Sequence, residues 1–481
     1  MDSSDLEDGP HCSVDSFLRS PFRWLWLRWF SISPAMLLAL SFAVLIAVGT
    51  AGLLLLPALY TGPRLGFLDA LFTMTSAVCV TGLSVVDPAT AFTRWGQLWL
   101  LVFIQLGGLG LITLTTLVIG ALGRRLSLRS EVIVGAPIDY THRENVLSLT
   151  LRVARFTLGV EALGALLLWL LWLPRFGWKE AAWHAVFHSV SAFCNAGFST
   201  FSDSMVGFNR APLTLLVISL LIILGSLGYL SSEEALRWWR SRDQRSRRMS
   251  VHTFAALLVT GVLLVGGTVL FALFEWRGTL APLGYVDRVA NAWFMSATAR
   301  TAGFNSVSYS EVSNASGFFT ILLMVVGGSP GSTAGGLKTT TLAVLAALAF
   351  TRIRGRRHAE LHGRAIPEGT IERTVSLALI AFGLMTAAVF VLSFTEARGA
   401  ESVQAARASF LPVFFEVVSA FCTVGLTMDV SPSLSVAGKL QVIGLMFVGR
   451  LGPLSFFAAL SLRARTHLRH VRPAQEDLIV G

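Results

Sequence analysis

Long apolar stretches alternate with short ones along this chain. Runs near 35–60, 95–121, 153–174, 211–231, 251–275, 374–395 and 436–462 supply the roughly 20 apolar residues that a helix needs to cross the hydrocarbon core. A further apolar stretch over 315–350 is interrupted in its middle. Within each pair of long runs lies a shorter apolar segment, at 67–79, 180–194, 287–299 and 410–422. A helix of that length reaches only about 20 Å, so it must enter and leave on the same side. Non-helical backbone at membrane depth is tolerated only where it lines a cavity or is buried in protein. The pattern therefore predicts an all-α polytopic membrane protein with eight spans and four re-entrant loops. Its unit is span, short helix, extended segment, span. The four units fall at 35–122, 153–235, 251–350 and 374–465, flanked by an N-terminal segment 1–34 and a tail 466–481.

Composition agrees: 54% of the 481 residues are hydrophobic and only 14% are charged, against about 25% charged in soluble domains. The net charge of +10 raises nucleic acid as a partner, and the placement of the charges removes it. Arginines crowd the linkers between units, as in Arg124, Arg125 and Arg129, Arg245, Arg247 and Arg248, and Arg354, Arg356 and Arg357. The loops on the other side are sparse, so the crowded side and both termini are expected in the cytoplasm. The N-terminal 34 residues are too polar for a cleavable signal. Phe22 to Phe30, mixing Trp, Phe and Arg, suits either an interfacial segment or an aromatic anchor.

Directly after each short apolar segment comes a related motif. These read Val80-Thr81-Gly82-Leu83, Asn195-Ala196-Gly197-Phe198, Thr301-Ala302-Gly303-Phe304 and Thr423-Val424-Gly425-Leu426, with the glycines about 105–120 residues apart. A dehydrated alkali cation needs a ring of oxygens in place of its water shell, and inward-facing backbone carbonyls provide one. Such a strand needs unusual backbone angles, which glycine adopts readily. Four copies around a pseudo-fourfold axis make that ring from a single polypeptide. Short helices whose C-terminal ends face the axis favour a cation there. Asp87, Asp203 and Asp429 follow the motifs and are placed to raise the local cation concentration.

The stretches VCVTGLSVVD (78–87), FCNAGFS (193–199), RTAGFNS (300–306) and FCTVGLT (421–427) resemble those of the Trk/Ktr/HKT superfamily of potassium transporters, with greatest similarity to the membrane subunit of bacterial Ktr systems. The likeness covers roughly 35–465. It implies four M1–pore helix–M2 repeats in the bacterial cytoplasmic membrane and a homodimer with one pore per subunit. It also implies gating by a cytosolic ring of RCK-type nucleotide-binding subunits. The transported ion would be K+, bound at the level of Gly82, Gly197, Gly303 and Gly425, with Na+ a candidate activator and no covalently bound cofactor. Plant relatives that favour sodium carry serine at the first glycine, so Gly82 argues for potassium. The short tail ending in Gly481, and the lack of an extra pair of N-terminal spans, are similar to Ktr subunits.

The interrupted span is the second candidate site. Residues 316–350 would be about 52 Å long as continuous helix, well beyond one bilayer. The middle reads Gly327-Gly328-Ser329-Pro330-Gly331-Ser332-Thr333-Ala334-Gly335-Gly336-Leu337-Lys338-Thr339-Thr340, and so many glycines with a proline do not stay helical. The resemblance makes 327–340 an intramembrane gate under the filter, with Arg450 beside it. On physical grounds alone Arg450, mid-span, would cost about 2.5–3.5 kcal/mol facing lipid and should face the pore or carbonyls. Lys338 either joins the loop's hydrogen bonds or anchors a cytoplasmic end. The likeness to a phosphate-binding loop fails, because Leu337 separates Gly336 from Lys338 and no βαβ context exists.

Other residues carry less. His184 and His188, spaced i, i+4, suit a metal pair or packing behind the filter, and no third ligand stands nearby. Cys79, Cys194 and Cys422 recur three residues before a glycine and read as packing, while Cys12 lies in the N-terminal segment. Arg300 is expected to brace the filter, Gly107, Gly108 and Gly110 to allow close helix contact, and Glu416 to brace a neighbour or sense ions. Two other readings compete. A proton- or sodium-coupled carrier would place acids at mid-membrane, whereas the ionisable residues in these apolar segments are mainly basic. A lipid-modifying enzyme would need clustered Asp, His or Glu, and only scattered acids such as Glu233 and Glu234 are found; the protein is expected not to be an enzyme.

Overall fold

The computed structural model describes residues 34–121, 146–240, 249–356, 358–397 and 408–452. The N-terminal segment, the arginine-bearing stretches 122–145 and 241–248, the expected end of the last span beyond 452 and the tail 466–481 lie outside the described residues.

Among the described residues, twelve helices of twelve or more residues carry the architecture. The first group is α1 (Pro34–Leu55), α2 (Phe67–Cys79) and α3 (Arg94–Ala121), followed by α4 (Val146–Phe193) and α5 (Pro212–Arg240). Next come α6 (Val251–Glu275), α7 (Tyr285–Thr298), α8 (Asn314–Val325) and α9 (Thr339–Ile353). The last are α10 (Glu368–Ala397), α11 (Phe410–Phe421) and α12 (Val436–Leu451). A two-stranded hairpin, β1 (Glu360–Leu361) with β2 (Arg364–Ala365), sits between α9 and α10. Among the described residues, five helices are long and apolar enough to cross a membrane: α1, α4, α5, α6 and α10. Their outward faces are apolar. Leu40, Val44 and Val48 on α1, and Leu258, Val262, Val265 and Val269 on α6, are about half exposed at helical spacing. Water would not tolerate such stripes, and lipid does.

Serines close several helix starts, giving free N–H groups an acceptor where lipid offers none. Ser250 Oγ accepts from Thr253 N at 3.2 Å, Ser313 Oγ from Ser316 N at 3.2 Å and Ser435 Oγ from Gly438 N at 3.1 Å. The span and short helix expected at 153–174 and 180–194 run together in α4, bent at Gly177 (φ 72, ψ 170) three residues after Pro174. Only this bend separates them, because glycine turns the chain without a loop. The interrupted span breaks as expected, with α8 ending at Val325. The helix resumes at Thr339, so Thr339 and Thr340 form the first turn of α9 instead of belonging to the loop.

Packing runs in a closed order. Helix α2 packs against α1 and α3, α3 against α4, α5 against α7, α8 against α11, and α12 back against α2. The helix that follows the short one in each group thus leans on the helix that carries the next short segment, and the fourth returns to the first. The short helices end in the middle of this arrangement.

Candidate functional site

Three of the four short helices end in the same way. Thr81 N bonds Ser76 O at 2.8 Å while Val80 N bonds Ala77 O at 3.2 Å. Ala196 and Asn195 repeat this on Ser191 and Ala192, and Val424 and Thr423 repeat it on Ser419 and Ala420. This is the Schellman closure, which normally has glycine in the left-handed position. Here the position holds Val80 (φ 56), Asn195 (φ 58) and Thr423 (φ 51), and the third segment has Thr301 (φ 73). Branched residues in that region store about 1–3 kcal/mol each, a signature of sites where conformation is imposed for function. Two residues on, Gly82, Gly197, Gly303 and Gly425 are again at positive φ, from 68 to 99.

The four glycines meet. A Cβ on Gly82 would lie 2.6 Å from Ala196 O and 3.1 Å from Gly197 Cα. One on Gly197 would lie 2.9 Å from both Ala302 O and Gly303 Cα, and one on Gly303 2.6 Å from Val424 O and 3.2 Å from Gly425 Cα. One on Gly425 would strike Thr81 O and come within 3.0 Å of Gly82 Cα. The order 82, 197, 303, 425 and back to 82 is a closed ring. The carbonyl oxygens of Thr81, Ala196, Ala302 and Val424 stand around it, one beside each neighbouring glycine. Such a set of neutral backbone oxygens suits a bare alkali ion.

Hydroxyls on the short helices hold the segments in place. Gly82 N donates to Ser76 Oγ and Gly425 N to Ser419 Oγ, each at 3.0 Å. Ser191 Oγ donates to Phe198 O at 2.7 Å and Thr298 Oγ1 to Phe304 O at 2.6 Å. Long helices press from behind through glycine: a Cβ on Gly107, Gly225 or Gly449 would collide with the carbonyl of Val78, Phe193 or Phe421.

The loop between α8 and α9 lies against the first residues of these segments. Gly327 is beside Thr301 and Gly335 beside Thr423. Its ends are pinned by Gly327 N to Leu337 O at 2.8 Å and Leu337 N to Val325 O at 3.1 Å. Buried Arg450 donates from Nη1 to Thr333 O and from Nη2 to Gly107 O at 2.7 Å, so it faces carbonyls and not lipid. Lys338 Nζ donates to Ala334 O at 2.7 Å, joining the loop's own hydrogen bonds.

The remaining sequence candidates divide. His188 is buried, bonded to Ser199 Oγ at 3.0 Å and to His184 O at 2.8 Å, and His184 meets Thr200 Oγ1 at 2.6 Å. Their neighbours are Trp172, Phe176 and Phe201, which is packing. Cys79, Cys194 and Cys422 are buried free thiols, and Gly108 makes room for Cys194. Glu416 accepts hydrogen bonds from Thr427 Oγ1 at 2.7 Å and from Ser431 Oγ, bracing the chain just after the fourth glycine. Arg300 is fully buried, and none of its side-chain nitrogens has a hydrogen-bond partner among the described residues. Asp203 and Asp429 are exposed, whereas Asp87 caps a helical turn through Ala89 N at 2.9 Å. Sequence reasoning missed Glu161, an acid buried inside a span, which takes a bond from Gln105 Nε2 at 3.1 Å. Only an i, i+3 or i+4 position on an otherwise apolar span marked it.

The match to known proteins is extensive. A family model described as TrkH, cation transport protein, matches residues 32–464. The chain belongs to the TrkH family of cation transport proteins. It is 36% identical over 452 residues to the potassium/sodium uptake protein NtpJ of Enterococcus hirae, covering 94% of this chain and 98% of that protein. Ktr system potassium uptake protein B of Bacillus subtilis is 34% identical, covering 92% and 96%, and its namesake from Vibrio alginolyticus 38%, covering 84% and 87%. The crystal structure of the potassium transporter TrkH from Vibrio parahaemolyticus superposes with a TM-score of 0.69 at 17% identity, over 93% of this chain and 86% of that one, and shares the fold. Membership of the TrkH family makes this a multi-pass cation transporter and sets aside the reading as a lipid-modifying enzyme.

Proposed function

We propose that this chain is the membrane subunit of a potassium uptake system of the Ktr type. Its four groups of helices act as M1–pore helix–M2 repeats in pseudo-fourfold order, and potassium permeates down its electrochemical gradient through the ring they enclose. The observation that carries the reading is the cyclic contact of Gly82, Gly197, Gly303 and Gly425. In this reading Val80 to Leu83, Asn195 to Phe198, Thr301 to Phe304 and Thr423 to Leu426 form the selectivity filter. The loop 327–338 with Arg450 forms the gate, since a guanidinium held under the ring repels cations while the loop fills the path. The names of the relatives, potassium uptake and potassium/sodium uptake proteins, support K+ as the ion and leave Na+ as an activator or second ion. By the same likeness the subunit works as a homodimer in a bacterial cytoplasmic membrane, both termini inside, under a nucleotide-binding cytosolic ring. Purified protein in liposomes should take up rubidium, a potassium analogue, and K+ should compete far better than Na+. Equal competition by both ions would overturn the assignment of the ring.

A further inference from the structure

Three of the four residues at the lower edge of the ring make no side-chain hydrogen bond among the described residues. Val80 has nothing to donate, and the hydroxyls of Thr301 and Thr423 are buried without a partner. Asn195 differs. Its Nδ2 donates to Thr333 Oγ1 of the loop at 2.9 Å and to Ser226 Oγ of α5 at 3.2 Å. Thr333 Oγ1 itself donates to Phe193 O at 3.1 Å, so it accepts from Asn195, and the amide is oriented by that choice. Both amide hydrogens are thereby committed while the loop is seated.

The seat is built from a broken helix. At Gly228 (φ 72, ψ 167) the hydrogen-bond ladder of α5 is interrupted, and carbonyls just before the break turn to the loop. Ser329 N donates to Ser226 O at 2.8 Å, Ser329 Oγ to Leu227 O, and Thr333 N to Gly225 O at 3.3 Å. A Cβ on Gly228 would meet Gly331 O at 2.7 Å, so the break and the loop fit each other closely. The loop is thus fastened to the helix that also holds Asn195 through Ser226. Movement of the loop takes Thr333 away while Asn195 remains on its own segment.

We propose that Asn195 is a specificity-determining residue whose side chain is set by the loop. With Thr333 in place the amide is held off the axis and the ring selects by its rigid carbonyls. With Thr333 gone Ser226 alone holds the amide, through Nδ2 at 3.2 Å and a long 3.4 Å contact to Oδ1, so the amide turns and its oxygen becomes a movable ligand at the inner edge of the ring. A movable oxygen follows a smaller ion in a way that a fixed ring does not, so discrimination between K+ and Na+ falls when the loop leaves. This rests on the reading of the ring as filter and the loop as gate.

The test is a mutant cycle on the full chain in liposomes, reading rubidium flux and its competition by K+ and Na+. Thr333→Val, which keeps the shape and removes the acceptor, should raise flux and lower the K+/Na+ competition ratio about fivefold, the scale of one hydrogen bond. Thr333→Ser should restore the ratio that Thr333→Val loses. In an Asn195→Val background, or Asn195→Ala if the first does not fold, Thr333→Val should still raise flux but leave the ratio unmoved. An unchanged ratio in Thr333→Val with raised flux overturns the coupling and spares the gate. A ratio that falls equally in the Asn195→Val background also overturns it. Unchanged flux in Thr333→Val, together with unchanged flux on removal of Arg450, removes the gate reading and the coupling with it.

Discussion

Lys439 Nζ lies 2.7 Å from Asp69 Oδ1 and so joins the start of the last helix to the start of the first short one. The two are separated by most of the polypeptide, and the pair closes the seam between the fourth group of helices and the first. Both side chains are largely covered, at 17% and 32% exposure. A double-mutant cycle of Lys439→Met with Asp69→Asn should give a coupling of about 1 kcal/mol in thermal unfolding of the detergent-solubilised protein. Additive single effects would mean that the seam is held by packing alone.

The ring should be sensitive to any added side chain. Gly303→Ser brings atoms to within about 2.6 Å of Val424 O and forces a residue with a side chain into positive φ. Flux competition should show the preference for K+ over Na+ falling about tenfold, equivalent to about 1.4 kcal/mol. An unaltered preference would count against the ring as the selective element.

Deletion of residues 328–336 removes the loop beneath the ring together with the acceptor for Arg450 Nη1, Thr333 O. Rubidium influx into liposomes should rise severalfold. Arg450→Gln should move in the same direction to a smaller extent, because one charge-assisted hydrogen bond is worth about 1.5–3 kcal/mol. Influx equal to the parent in both variants would exclude the loop as the barrier.

Gly449→Ala places a methyl onto the Phe421 carbonyl, and Gly107→Ala does the same at Val78. Each should destabilise by about 1–3 kcal/mol, since neither contact is to a flexible side chain. The measurement is the unfolding midpoint in detergent, and a midpoint within error of the parent would show that the helices shift apart without cost.

Glu416→Leu leaves the hydroxyls of Thr427 and Ser431 without their acceptor. The cost should be about 2 kcal/mol or more in unfolding, and Glu416→Gln, which retains one acceptor oxygen, should lose less. Equal losses would assign Glu416 a role of volume only.

Much of this architecture was legible in the sequence because lipid imposes simple rules. Phe67–Cys79 and Phe410–Phe421 were readable as short helices from the length of their apolar runs alone. The glycine motifs were readable because left-handed backbone restricts residue choice. The bend at Gly177 was hidden, since a single glycine beside a proline does not announce whether the helix stops or turns. Thr333, Ser226 and Asn195 were each visible as polar residues, but their meeting depends on the packing of three separate elements. Arg300 was expected to brace the filter, and why a guanidinium is buried there without a hydrogen bond among the described residues is not written in the sequence.

Two residues before the glycines the four corners of the ring carry three different residue types: Val80, Asn195, Thr301 and Thr423. In an assembly of identical subunits any substitution would appear at every corner at once. Here one codon alters one wall, so under the proposed reading a single corner is tied to the loop while the other three keep the geometry that an ion would require.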